Sequence, residues 1–383
     1  MRYGIIPFSP TQNSTMKKLN KYVSPLGWMS LAVFLPVLAV QLVSRRSVVF
    51  ADAVNSTVSQ WFRRAMAYIT SEIPISLFEV VIALIPLFLT VIIISAVRRS
   101  KQRRGRVRLL STVVAIALLL WSGNAMALGV AYNTTPLSVE LGIPETDATE
   151  DDLAAAIETL VEEVNSLAAL VDTDGTPGMD CTYTMQQISE KICVSYKKIA
   201  AEYGFLDTFY SNAKPVYFSG IMSYFALTGI YTYYTGEANV NVSYPTYNVI
   251  FTAAHELSHQ RGILRENEAN FMAYLVNAAS DDPYLRYSAA LNMLEYIASP
   301  LYRANPERYF DAIEPLSNTA RADITASNEV SRRYGDTVFS DISRFVNDLF
   351  LKSNGTPGVV SYGMVTELAI DYFKSEGRIP SQD

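Results

Sequence analysis

The sequence predicts a mainly α chain, with three transmembrane helices followed by a helix-rich α+β domain that carries a small edge sheet. Three observations predict it. Long apolar runs occur three times before residue 133. Charge is divided: residues 1–130 carry 15 Lys+Arg against 3 Asp+Glu, whereas residues 131–383 carry 16 against 34. Beyond residue 148 apolar residues recur mostly at helical spacing, and one stretch alternates as a strand does.

The apolar runs are Val23–Ser44, Pro74–Val97 and Leu109–Tyr132. A spanning helix needs about 20 mostly apolar residues, so each is long enough. Pro36 and Pro86 fall within runs, which membrane helices tolerate. Glu79 is a lone acid near the start of the second run, placed for a headgroup position or, less simply, for an ion pathway. Residues 98–108 hold seven basic residues in eleven, and no Lys or Arg follows Arg108 until Lys191. The positive-inside rule therefore puts 98–108 in the cytoplasm and residues 133–383 outside it. This predicts a multi-pass protein of the cell membrane with the lipid bilayer as a partner. The 45–71 loop falls outside too, despite its four arginines. Residues 1–132 form the anchor, 133–148 a polar linker, and 149–383 the soluble domain. The acidic soluble part excludes nucleic acid as a partner. Cys181 and Cys193 can form one disulfide or stay as two packed thiols.

In the soluble part, Thr149 and Asp152 resemble a capping box, and Leu153, Ile157, Leu160, Val164, Leu167 and Leu170 follow at helical spacing. Residues 184–203 read as a second helix. Residues 238–244 alternate, Val240, Val242 and Tyr244 against Asn239, Asn241 and Ser243, as a half-buried strand does. From residue 266 the pattern is helical, with a break near Pro300 and a last helix near 362–375.

The chain has two histidines, and both lie in His255-Glu256-Leu257-Ser258-His259. On a helix, positions i and i+4 share a face, so both imidazoles can hold one ion. Glu256 is turned about 100° from His255, where it can reach a metal-bound water without displacing a ligand. That is why the chemistry needs H-E-x-x-H and not two histidines alone. Two imidazoles and a carboxylate suit Zn2+. Gly262 offers a helix stop, and Glu266 and Glu268 follow as candidates for the third ligand. Glu268 shares a helix face with Phe271, Met272 and Leu275, where a buried carboxylate needs a partner. The expected metal set is therefore His255, His259 and Glu268, with Glu266 as the alternative.

The segments HELSHQRG and ENEANFMAYL resemble a gluzincin-type site, and Glu268-Ala269-Asn270 is similar to the third-ligand segment of short-spaced zincins related to the ImmA/IrrE peptidases. A metzincin would have His or Asp at position 265, where this chain has Arg265. The whole chain resembles an uncharacterised bacterial family of membrane proteins. These have N-terminal spanning helices, a TGEANVN-like strand (Thr235–Asn241), an HExxHQxG site (His255–Gly262) and a late SYG motif (Ser361–Gly363). The resemblance implies a zincin-like domain at 149–383 and a zinc metallopeptidase that hydrolyses an extracytoplasmic protein or peptide, with Glu256 as general base. It also makes Tyr362 the candidate oxyanion donor, with Arg261 and Arg265 as alternatives. By the same resemblance, strand 238–244 is either an acceptor for an extended peptide or an ordinary edge strand. The competing expectation is a non-catalytic sensor or scaffold with a structural zinc.

Overall fold

The computed structural model describes residues 19–99, 101–172, 178–179, 181–335 and 337–380, without the side chains of 360–362. The fold is mainly α with one three-stranded sheet.

Among the described residues, three helices are long and apolar enough to cross a membrane. The first, α1 (Pro25–Ser44), starts on Ser24, whose hydroxyl accepts the Gly27 N–H, with Pro25 in the first turn. The expected outer loop is instead two short helices, α2 (Val48–Val54) and α3 (Gln60–Ser71), joined through a π-turn at Asn55–Ser59. The second span is α4 (Leu77–Arg99), which has no buried residue, as suits a helix surrounded by lipid. Then comes α5 (Arg103–Asn124), which begins in the basic segment and is prolonged by turns at Ala125–Gly129 and Ala131–Asn133. It packs along α1, with Gln41 Nε2 donating to Gly129 O at 3.1 Å. Glu79 lies in the first turn of α4, and its carboxylate accepts the N–H groups of Tyr217 and Phe218 at 3.0 and 2.8 Å. It fastens the span to the soluble part.

The stretch expected as a linker is packed. It contains α6 (Leu137–Glu140), buries Leu137 and Ile143, and bonds Thr146 to Asp371. It joins the core formed by α7 (Glu150–Val171) and α8 (Met185–Tyr203). Capping boxes at Thr149 and Thr184 start these two helices. Ile157, Leu160, Val164 and Leu167 face inward as their spacing predicts, while Leu170 is exposed.

The sheet follows: β1 (Lys214–Val216), α9 (Ser219–Tyr224), β2 (Gly229–Thr232) and β3 (Glu237–Asn241). The order is β1-β3-β2, with β1 parallel and β2 antiparallel to β3. The strand expected at an edge and half buried is thus central, and all five residues are buried. Its polar side meets the anchor and not water. Glu237 accepts the N–H groups of Leu77 and Phe78, and Asn239 accepts from Ser76 at 2.7 Å.

The rest is helical: α10 (Thr246–Gln260), α11 (Glu266–Ala278), α12 (Pro283–Ala304), α13 (Pro306–Ile313), α14 (Asn318–Tyr334), α15 (Val338–Ser353), a 3-10 turn at Gly358–Met364, and α16 (Val365–Ser375). Pro300 does not break α12. It removes the N–H that would reach the Tyr296 carbonyl, and the Thr366 hydroxyl takes that place at 3.2 Å. Cys181 and Cys193 are not joined by a disulfide; Cys193 is buried, with Sγ 3.6 Å from Ser211 O.

Candidate metal centre

The central helix of the soluble part, α10, is buried on nearly all sides, and each residue of its last two turns has a task. Leu257 fills the core. The Ser258 hydroxyl lies 2.6 Å from Tyr196 Oη, and Gln260 bridges Ser211 and the carbonyl of Gly236, which sets the turn before β3. At Gly262 the backbone turns left-handed, with φ 96°, and the N–H of Ile263 closes the helix on Ser258 O. A Cβ at Gly262 would stand 2.3 Å from Arg63 Nη2, so the stop is also a contact with α3.

The reversal at Gly262 lays the start of α11 against the end of α10. It brings His255, His259 and Glu266 together, with donor atoms all within 4.8 Å of one another. Glu266 Oε2 is 3.3 Å from His255 Nε2 and 3.6 Å from His259 Nε2. Metal bonds of about 2.0–2.1 Å meeting tetrahedrally put neighbouring donors about 3.4 Å apart, so the trio fits one small ion. His259 Nδ1 lies 2.8 Å from Ile263 O, which fixes the tautomer that leaves Nε2 free for a metal. Among the described residues, His255 Nδ1 and Glu256 Oε2 are buried with no hydrogen-bond partner.

The charges respond to this crowding. Burial alone would lower the His259 pKa, but the Glu266 carboxylate outweighs it and holds it at about 9. Burial would raise Glu266, and the imidazoles, His259 foremost, hold it well below the usual carboxylate range. Glu256 is pushed up by burial, against the opposing pull of both imidazoles.

Glu268 is not beside the histidines. Its Oε1 accepts from Arg265 Nη1 at 2.8 Å and from the N–H of Leu137 at 3.0 Å. The helix-face argument fails because α11 is buried around nearly its whole circumference, so Glu266 and Glu268 are both inside. What separates them is the partner: Glu268 has a guanidinium and an amide, while Glu266 has the imidazoles. Arg265 also holds the carbonyls of Tyr132 and Thr134, at 3.1 and 2.7 Å. Arg261 binds the Leu257 and Phe209 carbonyls and lies over the Tyr196 ring. Both alternatives for oxyanion donor are thus engaged elsewhere. Tyr362 falls in the 3-10 turn, and its side chain lies outside the described residues.

Sequence reasoning missed what covers Glu256. At Gly229, in β2, a Cβ would meet Glu256 Oε1 at 2.4 Å and Thr252 Cγ2 at 2.6 Å. A glycine within a strand was the available signal, since it marks close approach. Arg63 was missed as well. It is fully buried, and donates to Ala127 O and Asn55 Oδ1, each at 2.9 Å.

A family model described as "Protein of unknown function (DUF3810)" matches residues 55–370. The chain belongs to this family. The DUF3810 match takes in α3, the second and third spans, the sheet and the whole metal trio. It begins at Asn55, the residue that holds Arg63. No curated protein and no solved structure matches the chain.

Proposed function

We propose that this protein is a membrane-anchored zinc-dependent metallopeptidase that hydrolyses peptide bonds of an extracytoplasmic protein or peptide. The observation that carries this reading is the convergence of His255 Nε2, His259 Nε2 and Glu266 Oε2 at tetrahedral spacing, with Glu256 next to them. These three residues would hold the ion, and zinc bound there would supply a polarised water. Glu256 then serves as general base, its carboxylate standing beside the ion's ligands where it can take a proton from that water. Ile263 O steadies His259 through its Nδ1. With β3 in the centre of the sheet, strand addition by a peptide falls to β2, an outer strand that approaches Glu256 at Gly229. The charge pattern at 98–108 supports placing the soluble part outside the cytoplasm.

One observation favours a structural zinc and a non-catalytic sensor or scaffold: the trio's side chains are only 10–12 % exposed. Glu256→Gln separates the readings. In a peptidase, the purified variant keeps a stoichiometric metal and loses hydrolysis by about 10²–10⁴-fold. Comparing cleaved extracellular termini in cells with wild type and variant finds the substrates. Wild-type protein without stoichiometric zinc, or cleavage unchanged by the variant, would sink the proposal.

A further inference from the structure

The helix α15 has its polarity inverted. Its protein side carries Ser340 and Leu351, both fully buried. Its outer side carries Val338, Phe339, Ile342, Phe345, Val346 and Leu349, each more than half exposed. Their spacing puts them on one stripe along about 17 Å of helix. The charges lie at the flank and pair along the helix, Asp341 with Arg344 and Asp348 with Lys352. In water such a stripe would be turned inward.

Both ends of α15 are fixed at the level where the spans end. At the C-terminal end, Arg45, which caps α1, donates to Ser353 O at 2.9 Å. The Phe350 ring meets Tyr132, just beyond the third span's regular helix, edge-on at 6.2 Å. At the N-terminal end, Thr337 donates to Tyr224 O at 2.7 Å, the last residue of α9. The segment leading into α9, Tyr217 and Phe218, hangs from Glu79 in the first turn of α4. Arg45, Glu79 and Tyr132 mark the same ends of three spans, and α15 is tied to all three, to Glu79 by way of α9. Nearby α3 exposes Trp61 and Tyr68, residue types that favour the headgroup layer.

We propose that α15 is an in-plane membrane helix, its apolar stripe sunk into the leaflet on the side of the soluble part. The occupant is lipid, because α15 is tied to the ends of α1 and the third span and its stripe is as apolar and exposed as the spans themselves. This is independent of the reaction at the metal centre. Its consequence there is that a substrate must reach β2 and Glu256 close to the headgroups.

The test uses the full chain with Cys181→Ser, Cys193 being buried, reconstituted in vesicles of phosphatidylcholine and phosphatidylglycerol. A nitroxide is placed at Phe345→Cys and, in a second variant, at Leu349→Cys. Glu158→Cys, on the exposed face of α7, serves as the aqueous control. If α15 is sunk in lipid, the ratio of collisions with oxygen to collisions with a water-soluble nickel chelate rises by about an order of magnitude over the control. Nickel access equal to the control would overturn the proposal. So would low access to both reagents. That result means protein covers the stripe, and dipolar broadening between labels would identify a second copy. Both positions are exposed, so the substitutions leave the fold's packing untouched, and each variant reads out alone.

Discussion

Glu266 and Glu268 stand two positions apart in the same short stretch and are about equally buried, yet their surroundings give them different work. The distinction predicts opposite outcomes for one substitution. Glu266→Gln should lower zinc affinity by about 10-fold to 100-fold or more, because it removes a charged donor from the trio. Glu268→Gln should leave the metal stoichiometry intact and cost about 1–3 kcal/mol of stability, since Arg265 loses its counter-charge. Metal analysis of the two purified variants, with thermal denaturation of each, decides it. Retention of metal by Glu266→Gln together with loss in Glu268→Gln would reverse the assignment. Gly229→Ala tests the cover over the base. A Cβ there collides with Glu256 Oε1, so hydrolysis should fall while the ion stays bound. Turnover and metal content measured together show whether it does.

The contact between α10 and α12 contains a pH-sensitive element away from the metal. Tyr247 Oη donates to Glu295 Oε2 at 3.0 Å. Burial pushes the Glu295 pKa up to about 7, helped by the nearby Asp323 charge and opposed by the Tyr247 hydrogen bond. The folded protein therefore favours the protonated acid. This stability contribution is complete below the ordinary carboxylate pKa near 4.5 and is lost as pH rises through 7. A shift of this size corresponds to at most roughly 3–4 kcal/mol. Melting temperatures in detergent should fall between pH 4.5 and 7, and Glu295→Gln should flatten that slope; equal slopes in both proteins would refute the assignment. At this scale much was legible beforehand. The spans, the helices α7 and α8, and residues 238–241 of the strand expected at 238–244 follow from local pattern, and local pattern is what sequence displays. The place of β3 in its sheet was not legible, because Asn239 and Glu237 look solvent-facing until the start of α4 is brought against them. The choice between two glutamates was hidden for the same reason. Arg265 lies only three residues from Glu268, but Leu137 reaches it through tertiary folding, 131 positions separating the two. His255, Glu256 and His259 were legible because one helical turn carries all three.

Across the whole molecule, anchor and soluble part are held together by buried and part-buried hydrogen bonds. Lys214, in β1, gives its ammonium to the carbonyls of Ser71 and Ile73, and Glu237 caps the second span. Arg63→Ala should therefore destabilise the protein by several kcal/mol. It empties space beside Gly262 and leaves Asn55 and Ala127 without their donor. The loss should appear in a thermal melt of the full chain, and its absence would show that α3 is only an accessory.

The position of Arg63 also sets a rule for anyone making a soluble version. A chain begun at residue 133 lacks the guanidinium that fills the turn after the second histidine, along with the segment that supports β1 and β3. Secreting such a piece should yield an incomplete fold, however polar its surface. A workable soluble protein has to bring residues 48–79 along, grafted by a new connection onto the part that starts at 125, with the lipid-facing lengths of the spans removed.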